Sequence, residues 1–240
     1  MLIEKLKNYN IILGSNSPRR KTMLENMGFK VRIITSNIDE SYDKSLELKL
    51  VPIFLAEKKS KELKNKIQKN DILITADTVV LYNNTILSKP KNHEDAKKTL
   101  MRLSSNNHQV ITGVCITTKS KSISFSSITE VTFNKIEEEE IEFYINTFNP
   151  HDKAGSYGIQ EWIGLIGVKK INGSYSNVVG LPSAKLFKEL EKFIWFIKYN
   201  QLWNIYYSQN TKNQTVSYNL IKSNPILNPT YNIADKTHQS

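Results

Sequence analysis

The chain has 240 residues, a net charge of +10 from 33 basic and 23 acidic side chains, and a hydrophobic share of 39%. At about 150 residues per domain this length makes one large domain or two small ones, and the apolar share excludes a purely disordered chain. Its one cysteine, Cys115, excludes an intrachain disulfide and a CxxC metal site, so a reducing, cytoplasmic setting is expected.

Asn10 to Leu13 reads as a strand, followed by the loop Gly14-Ser15-Asn16-Ser17. A helix then runs from Pro18 to Met27, with Ser17 as N-cap, Pro18 at the first helical position and Gly28 past its end. Phe29 to Thr35 is a second strand, and Pro52 to Ile67 a basic helix with Leu55, Ala56 and Leu63 on its inner side. Ile72 to Ala76 is a continuous apolar run of the buried-strand kind. Val79 to Tyr82 and Thr85 to Leu87 form a hairpin about Asn83-Asn84, because Asn tolerates the positive φ of tight turns. Glu94 to Leu103 is a helix, and Gln109 to Thr118 pairs with Ser122 to Phe133 as antiparallel strands. Ile136 to Thr147 is an acidic helix, Trp162 to Ile171 a β segment, and Pro182 to Tyr199 a closing helix. Strands and helices interleave while hairpins intrude, which predicts an α/β protein with a mixed sheet flanked by helices.

The expected domain is 1–199. Residues 200–240, with eight Asn, are expected to form an extension in which Trp203, Ile205, Tyr206 and Tyr207 dock on the body and the stretch from Gln209 is a flexible tail. The start of the chain has no signal-peptide apolar run, and Phe193 to Ile197 is far short of the roughly 20 residues of a membrane span, so no membrane partner is expected. The positive charge favours anionic partners, but its lysines are scattered without an aromatic-interleaved stripe, which makes nucleic acid an unlikely one.

Three segments carry candidate chemistry. Arg19 and Arg20 sit at a helix N-terminus, whose own positive potential disfavours them, so either a phosphate joins them there or both extend into water. Asp77 follows an apolar strand directly, where open α/β sheets place ligands, and Lys89 and the pair Asp39-Glu40 stand in nearby loops. The carboxylates suit a divalent cation shared with substrate phosphate, or simple solvation. The glycines of 151–160 and 173–182, set beside aromatic and amide side chains, suggest backbone close to a planar ligand, or bulges. The histidines at 93, 108, 151 and 238 have no metal-ligand spacing, and the phosphate-loop and dinucleotide glycine patterns are absent.

Taken in order, SNSPRR, Asp39-Glu40, LAEKKS, ADTVV, SKP, LSSNNHQVITGV, TEVTF, DKAGSYGIQ and GSYSNVVGLP resemble the Maf family of nucleoside triphosphate pyrophosphatases, from Ile11 to about Leu190. The resemblance implies an elongated two-lobed α/β fold with a central cleft, like that of inosine triphosphate pyrophosphatases, often as a homodimer. It implies Asp77 as proton acceptor and Glu40, Lys59 and Lys89 as further active-site groups. Arg19, Thr78 and Gln160 match the subfamily acting on dTTP and UTP, with modified pyrimidine nucleotides as further candidates. Departures are Ser60 for the usual Ala, Ser105 for Gly, and Glu161 for the Gly after Gln160.

The expected reaction is hydrolysis of the α–β phosphoanhydride to a monophosphate and pyrophosphate, with Mg²⁺, Mn²⁺ or Co²⁺ held by Glu40 and Asp77. Ser15, Arg19, Arg20, Thr78 and Gln160 are the expected substrate-binding set, with Arg20, Lys59 and Lys89 toward the phosphates. The alternatives are a non-catalytic nucleotide-binding regulator of cell division, or nucleic-acid binding through the basic surface.

Overall fold

The computed structural model describes residues 1–209, with side chains through Ile197 and at Tyr199. The chain divides into two compact units, Met1–Phe193 and Ile194–Ser240. The first holds a seven-stranded mixed sheet. Its strands are β1 (Asn10–Leu13), β2 (Val31–Ile33), β3 (Asp71–Tyr82), β4 (Thr85–Leu87), β5 (Asn107–Thr117), β6 (Ser122–Phe133) and β7 (Val168–Asn172). The order is β2-β1-β3-β5-β6-β7, with β4 beside β3. β1 is parallel to β2 and β3, and the other pairs are antiparallel.

The helices are α1 (Leu2–Lys5), α2 (Pro18–Asn26), α3 (Val51–Leu63), α4 (His93–Leu103), α5 (Glu138–Phe148), α6 (Trp162–Gly167), α7 (Tyr175–Val179) and α8 (Ser183–Gln209). Alternation along β3 and β5 splits the core between two faces, as a period of two requires. Val79, Leu81 and Ile111 pack with Val51 and Leu55 of α3. Val80 and Val110 pack with Leu100 of α4, Tyr144 and Ile145 of α5, and Ile163 of α6. Helix α3 lies so close to β5 that a Cβ at Gly113 would come within 2.4 Å of the Pro52–Ile53 backbone, so only glycine fits there.

Local signals behave as the sequence predicts where the partner is nearby. The Ser17 hydroxyl accepts the Arg20 N–H, and Gly28 takes a φ of 88° beyond α2. Asn83 and Asn84 turn the β3–β4 hairpin with φ of 45° and 55°. Ser105 holds a φ of 60°, and the buried Ser60 hydroxyl is satisfied by Thr117 at 2.5 Å.

Other expectations are corrected. Trp162 to Ile171 is not one β segment: α6 fills its first six residues, because Ile163 and Gly167, four apart, face the core while Leu165 between them is 80% exposed. The apolar run ending at Ala76 does not stop there, since β3 continues through Asp77 to Tyr82. α1 and α7 carried no periodicity long enough to read. The last helix continues past Tyr199 to Gln209, so regular structure does not end at the expected domain boundary. In the second unit the Trp195 and Tyr199 rings stack at 5.3 Å. The expected docking of Trp203, Ile205, Tyr206 and Tyr207 falls outside the described side chains, and of the tail expected from Gln209 only Gln209 is described, as the last residue of α8.

Candidate active site

One side of β3 is paired with β5 from Leu73 to Leu81. Its other side is paired with β1 only through Ile74, and with β4 only from Val80. Residues 75–79 therefore face an interruption in the sheet, and Asp77 and Thr78 are the half-buried pair at its centre. The loops leaving β1 and β4, which carry Gly14–Ser17 and Ser88–Lys89, flank this gap. It opens into a cleft of about 650 Å³, within the range of small-molecule sites. Every expected site residue, Ser15, Arg19, Arg20, Glu40, Lys59, Asp77, Thr78, Lys89 and Gln160, lines it.

At one end Lys59 stands between two carboxylates. Its Nζ lies 2.5 Å from Asp77 Oδ1 and 2.8 Å from Glu40 Oε1, and the Lys59 and Asp77 side chains are only 12% and 13% exposed. α3 can bring Lys59 there because Gly113 seats the helix and Thr75 Oγ1 donates to the Ala56 carbonyl at 2.7 Å. Burial pushes the Glu40 carboxyl up, but the bond and charge of Lys59, with Lys89 and Arg20 farther off, leave it below its usual range. Lys89 is exposed and makes no hydrogen bond or ion pair among the described residues.

Sequence reading missed Lys58. Its Nζ donates to the carbonyls of Asp39 at 2.6 Å and Ser41 at 3.1 Å, gripping the backbone on both sides of Glu40. Adjacent lysines thus divide the task, one holding the loop and the other its carboxylate. A basic helix gives no sign of which lysine reaches a carbonyl nearly twenty residues away.

The other end departs from expectation. Arg20 is buried, and four of its five N–H groups go to protein acceptors. Nε reaches the Gly180 carbonyl and one Nη1 proton the Ala76 carbonyl, both at 2.8 Å; the others reach Ser15 Oγ at 3.2 Å and Thr78 Oγ1 at 2.9 Å. The Ala76 carbonyl belongs to the unpaired stretch of β3, so the guanidinium occupies the place of a neighbouring strand. Burial lowers the Arg20 pKa from its ordinary value. Neither an anion nor water is needed to explain its position. Arg19 is settled separately, by Asp152 Oδ2 at 2.8 Å.

Thr78 is similarly committed. Thr112 Oγ1 donates to the Asn177 carbonyl at 3.1 Å, so in the 2.9 Å Thr78–Thr112 contact Thr78 is the donor. Having also accepted from Arg20, it keeps one lone pair for a ligand. Ser15 is the converse: its oxygen accepts from Ser17 N–H and Arg20, leaving its proton to give. Gln160 is exposed at the cleft wall. Glu161 does not enter the cleft; its carboxylate turns inward to Lys153 and Tyr144. Of the glycine-rich 173–182 stretch, Gly180 and the preceding short helix serve the protein's own Arg20 and Thr112.

Among the described residues no group of three or more His, Cys, Asp or Glu is arranged to hold a metal. The donor set present is two carboxylates, each with one oxygen not engaged by Lys59. That set fits a hard divalent cation that takes its remaining ligands from water and phosphate.

The sequence pattern of the family described as Maf-like protein matches residues 10–193. The chain belongs to this Maf-like family. A dTTP/UTP pyrophosphatase of Phocaeicola vulgatus is 48% identical over 80% of this chain and 100% of its own length. Another from Parabacteroides distasonis is also 48% identical, over 80% of this chain and 100% of its length. Among solved structures a HAM1 protein from Coxiella burnetii covers 52% of this Maf-like chain and 73% of its own, at 11% identity and a TM-score of 0.38, too slight a likeness to argue from.

Proposed function

We propose that this chain hydrolyses dTTP and UTP to the monophosphate and pyrophosphate. The reading is supported by whole-length relatives bearing that name and, above all, by one geometric observation. Glu40, Lys59 and Asp77, from a loop, a helix and a strand far apart in sequence, meet at the break in the sheet.

In this reading Asp77, whose second carboxylate oxygen is uncommitted, orients and deprotonates the water that attacks phosphorus as the α–β bridging bond breaks. Lys59 holds the Asp77 carboxylate in place through their ion pair, and Lys89 meets the departing pyrophosphate. Glu40 and Asp77 would hold Mg²⁺, Mn²⁺ or Co²⁺, which when bound offsets the charge of the phosphates. Ser15 donates to phosphate oxygen, while Arg20 contributes charge more than contacts, since its donors are engaged. Gln160 has the amide donor and acceptor that complement O4 and N3–H of a uracil or thymine edge, and the remaining Thr78 lone pair is a further acceptor in the cleft. The same reading has the chain working in the cytoplasm as a homodimer, on the family resemblance. Among the described residues no helix is long and apolar enough to cross a membrane.

The test is pyrophosphate release from dTTP, UTP, 5-methyl-UTP, pseudo-UTP, CTP, GTP, 7-methyl-GTP and ITP with each divalent cation. Metal-dependent release favouring the uracil and thymine nucleotides is expected. A purine preference would overturn the pyrimidine assignment, and silence across the panel would overturn the activity.

A further inference from the structure

A line of four alternating charges runs from the cleft wall, which Arg19, Asp152 and Lys153 line, inward to Glu161. Arg19 Nη1 bonds Asp152 Oδ2 at 2.8 Å; Asp152 Oδ1 bonds Lys153 Nζ at 2.7 Å; Lys153 Nζ bonds Glu161 Oε1 at 2.9 Å. The other Glu161 oxygen accepts from Tyr144 OH, which in turn accepts the Gly158 N–H at 2.9 Å. Asp152 is 56% exposed at the cleft, but the inner end of the line is set into the protein: the Lys153 side chain is 8% exposed, and a Cβ at Gly158 would come within 2.6 Å of the Glu161 carboxylate, so the backbone is hollowed for it. Burial pushes the Asp152 carboxyl up, and Lys153 and Arg19 more than reverse this, leaving it below its usual range. One end of the line is Arg19 in the cleft; the other is the residue next to Gln160.

We infer that Glu161 is a positioning residue that couples Arg19 to the Gln160 segment through Lys153 and Asp152. The physical reason is that a carboxylate accepts on both oxygens, and both are used. An amide can accept from Tyr144 or from Lys153 but not from both, and whichever way it turns it carries no charge, so the ammonium loses its second counter-ion. Lys153, buried and left with one counter-ion, then depends on the Asp152 charge alone and draws that carboxylate away from Arg19. A glycine at this place would supply no such anchor. Glu161 touches no ligand in this account, and its effect on substrate is routed through Arg19.

The kinetic consequence rests on the cleft being the nucleotide site, so two readouts are needed. First, side-chain ¹⁵N spectra of Arg19, assigned with Arg19→Ala, report whether the guanidinium is held. Separate, slowly exchanging Nη signals are expected in the wild-type protein and averaged ones in Glu161→Gln. Separate signals that persist in the variant, or none in the wild type, overturn the inference whether or not the chain is an enzyme. Second, Glu161→Gln should raise KM for dTTP about fivefold with kcat within about twofold, and should add less than about twofold when Arg19 is already Ala. Additive effects in that cycle overturn the coupling. Absence of turnover in the wild type overturns the functional reading and leaves the spectral result standing. Gln is near-isosteric and keeps one of the two bonds, so the variant retains its fold; a matching urea midpoint checks this.

Discussion

Lys59 and Arg20 line the same cleft and both are largely withdrawn from water, yet they are held in opposite ways. Lys59 is met by two carboxylates, so its cluster carries one net negative charge and two free carboxylate oxygens. Arg20 is met only by carbonyls and hydroxyls, so its positive charge has no direct counter-ion while its donors are almost used up. The carboxylate end is chemically unfinished and the arginine end structurally complete. A cleft polarised in this way suits a ligand that brings cation and anion together, as a metal-bound polyphosphate does.

The largest expected effect breaks the unfinished end. Asp77→Asn should lower kcat by roughly a thousandfold, the scale of a lost general base, with KM changed less than about threefold. Steady-state pyrophosphate release measures it, and turnover within tenfold of wild type would remove Asp77 from the reaction. Next, Arg20→Met strikes the complete end by stranding the Ala76 and Gly180 carbonyls. Stability should fall by about 3 kcal/mol in urea titration, since buried acceptors left unpaired cost about 1–3 kcal/mol each. A loss under about 1 kcal/mol would mean that water takes the guanidinium's place and that Arg20 is there for ligand instead. The smallest effect sharpens the comparison. Lys58→Met frees the loop around Glu40 without touching either carboxylate. It should reduce kcat/KM about tenfold, as removal of an outer partner of a ligand group does, while the urea midpoint hardly moves, because the ammonium is at the surface. Lys58→Arg should recover most of the loss; a Met variant with full activity would show that the loop holds itself.

Short-range physics made much of this legible in the sequence. Ser17 and Pro18 start α2, Asn83-Asn84 turn the hairpin, and alternation gives β6 its observed bounds. The motifs also picked out residues that all line the cleft. What stayed hidden depends on distant partners. Nothing near Asp77 says that β1 ends at Ile74's level and β4 begins at Val80's, so the apolar run looked like a strand ending at its carboxylate. Arg19 and Arg20 looked alike, and only the fold brings Asp152 to one and the Ala76 and Gly180 carbonyls to the other. Glu161 looked like a charge beside the base-reading amide, until Lys153 and Tyr144 are seen to turn it inward.

The break beside β3 has one more consequence. A stretch of strand with an unclaimed carbonyl is an invitation to another chain, since extended peptides add readily to open edges and stack into aggregates from there. In this protein the edge lies inside the sheet, walled by the ends of β1 and β4, and its Ala76 carbonyl is already taken by Arg20. A visiting peptide finds neither the length nor the acceptor it needs to extend the sheet. The opening therefore stays available to small molecules while the protein remains guarded against self-association along that strand.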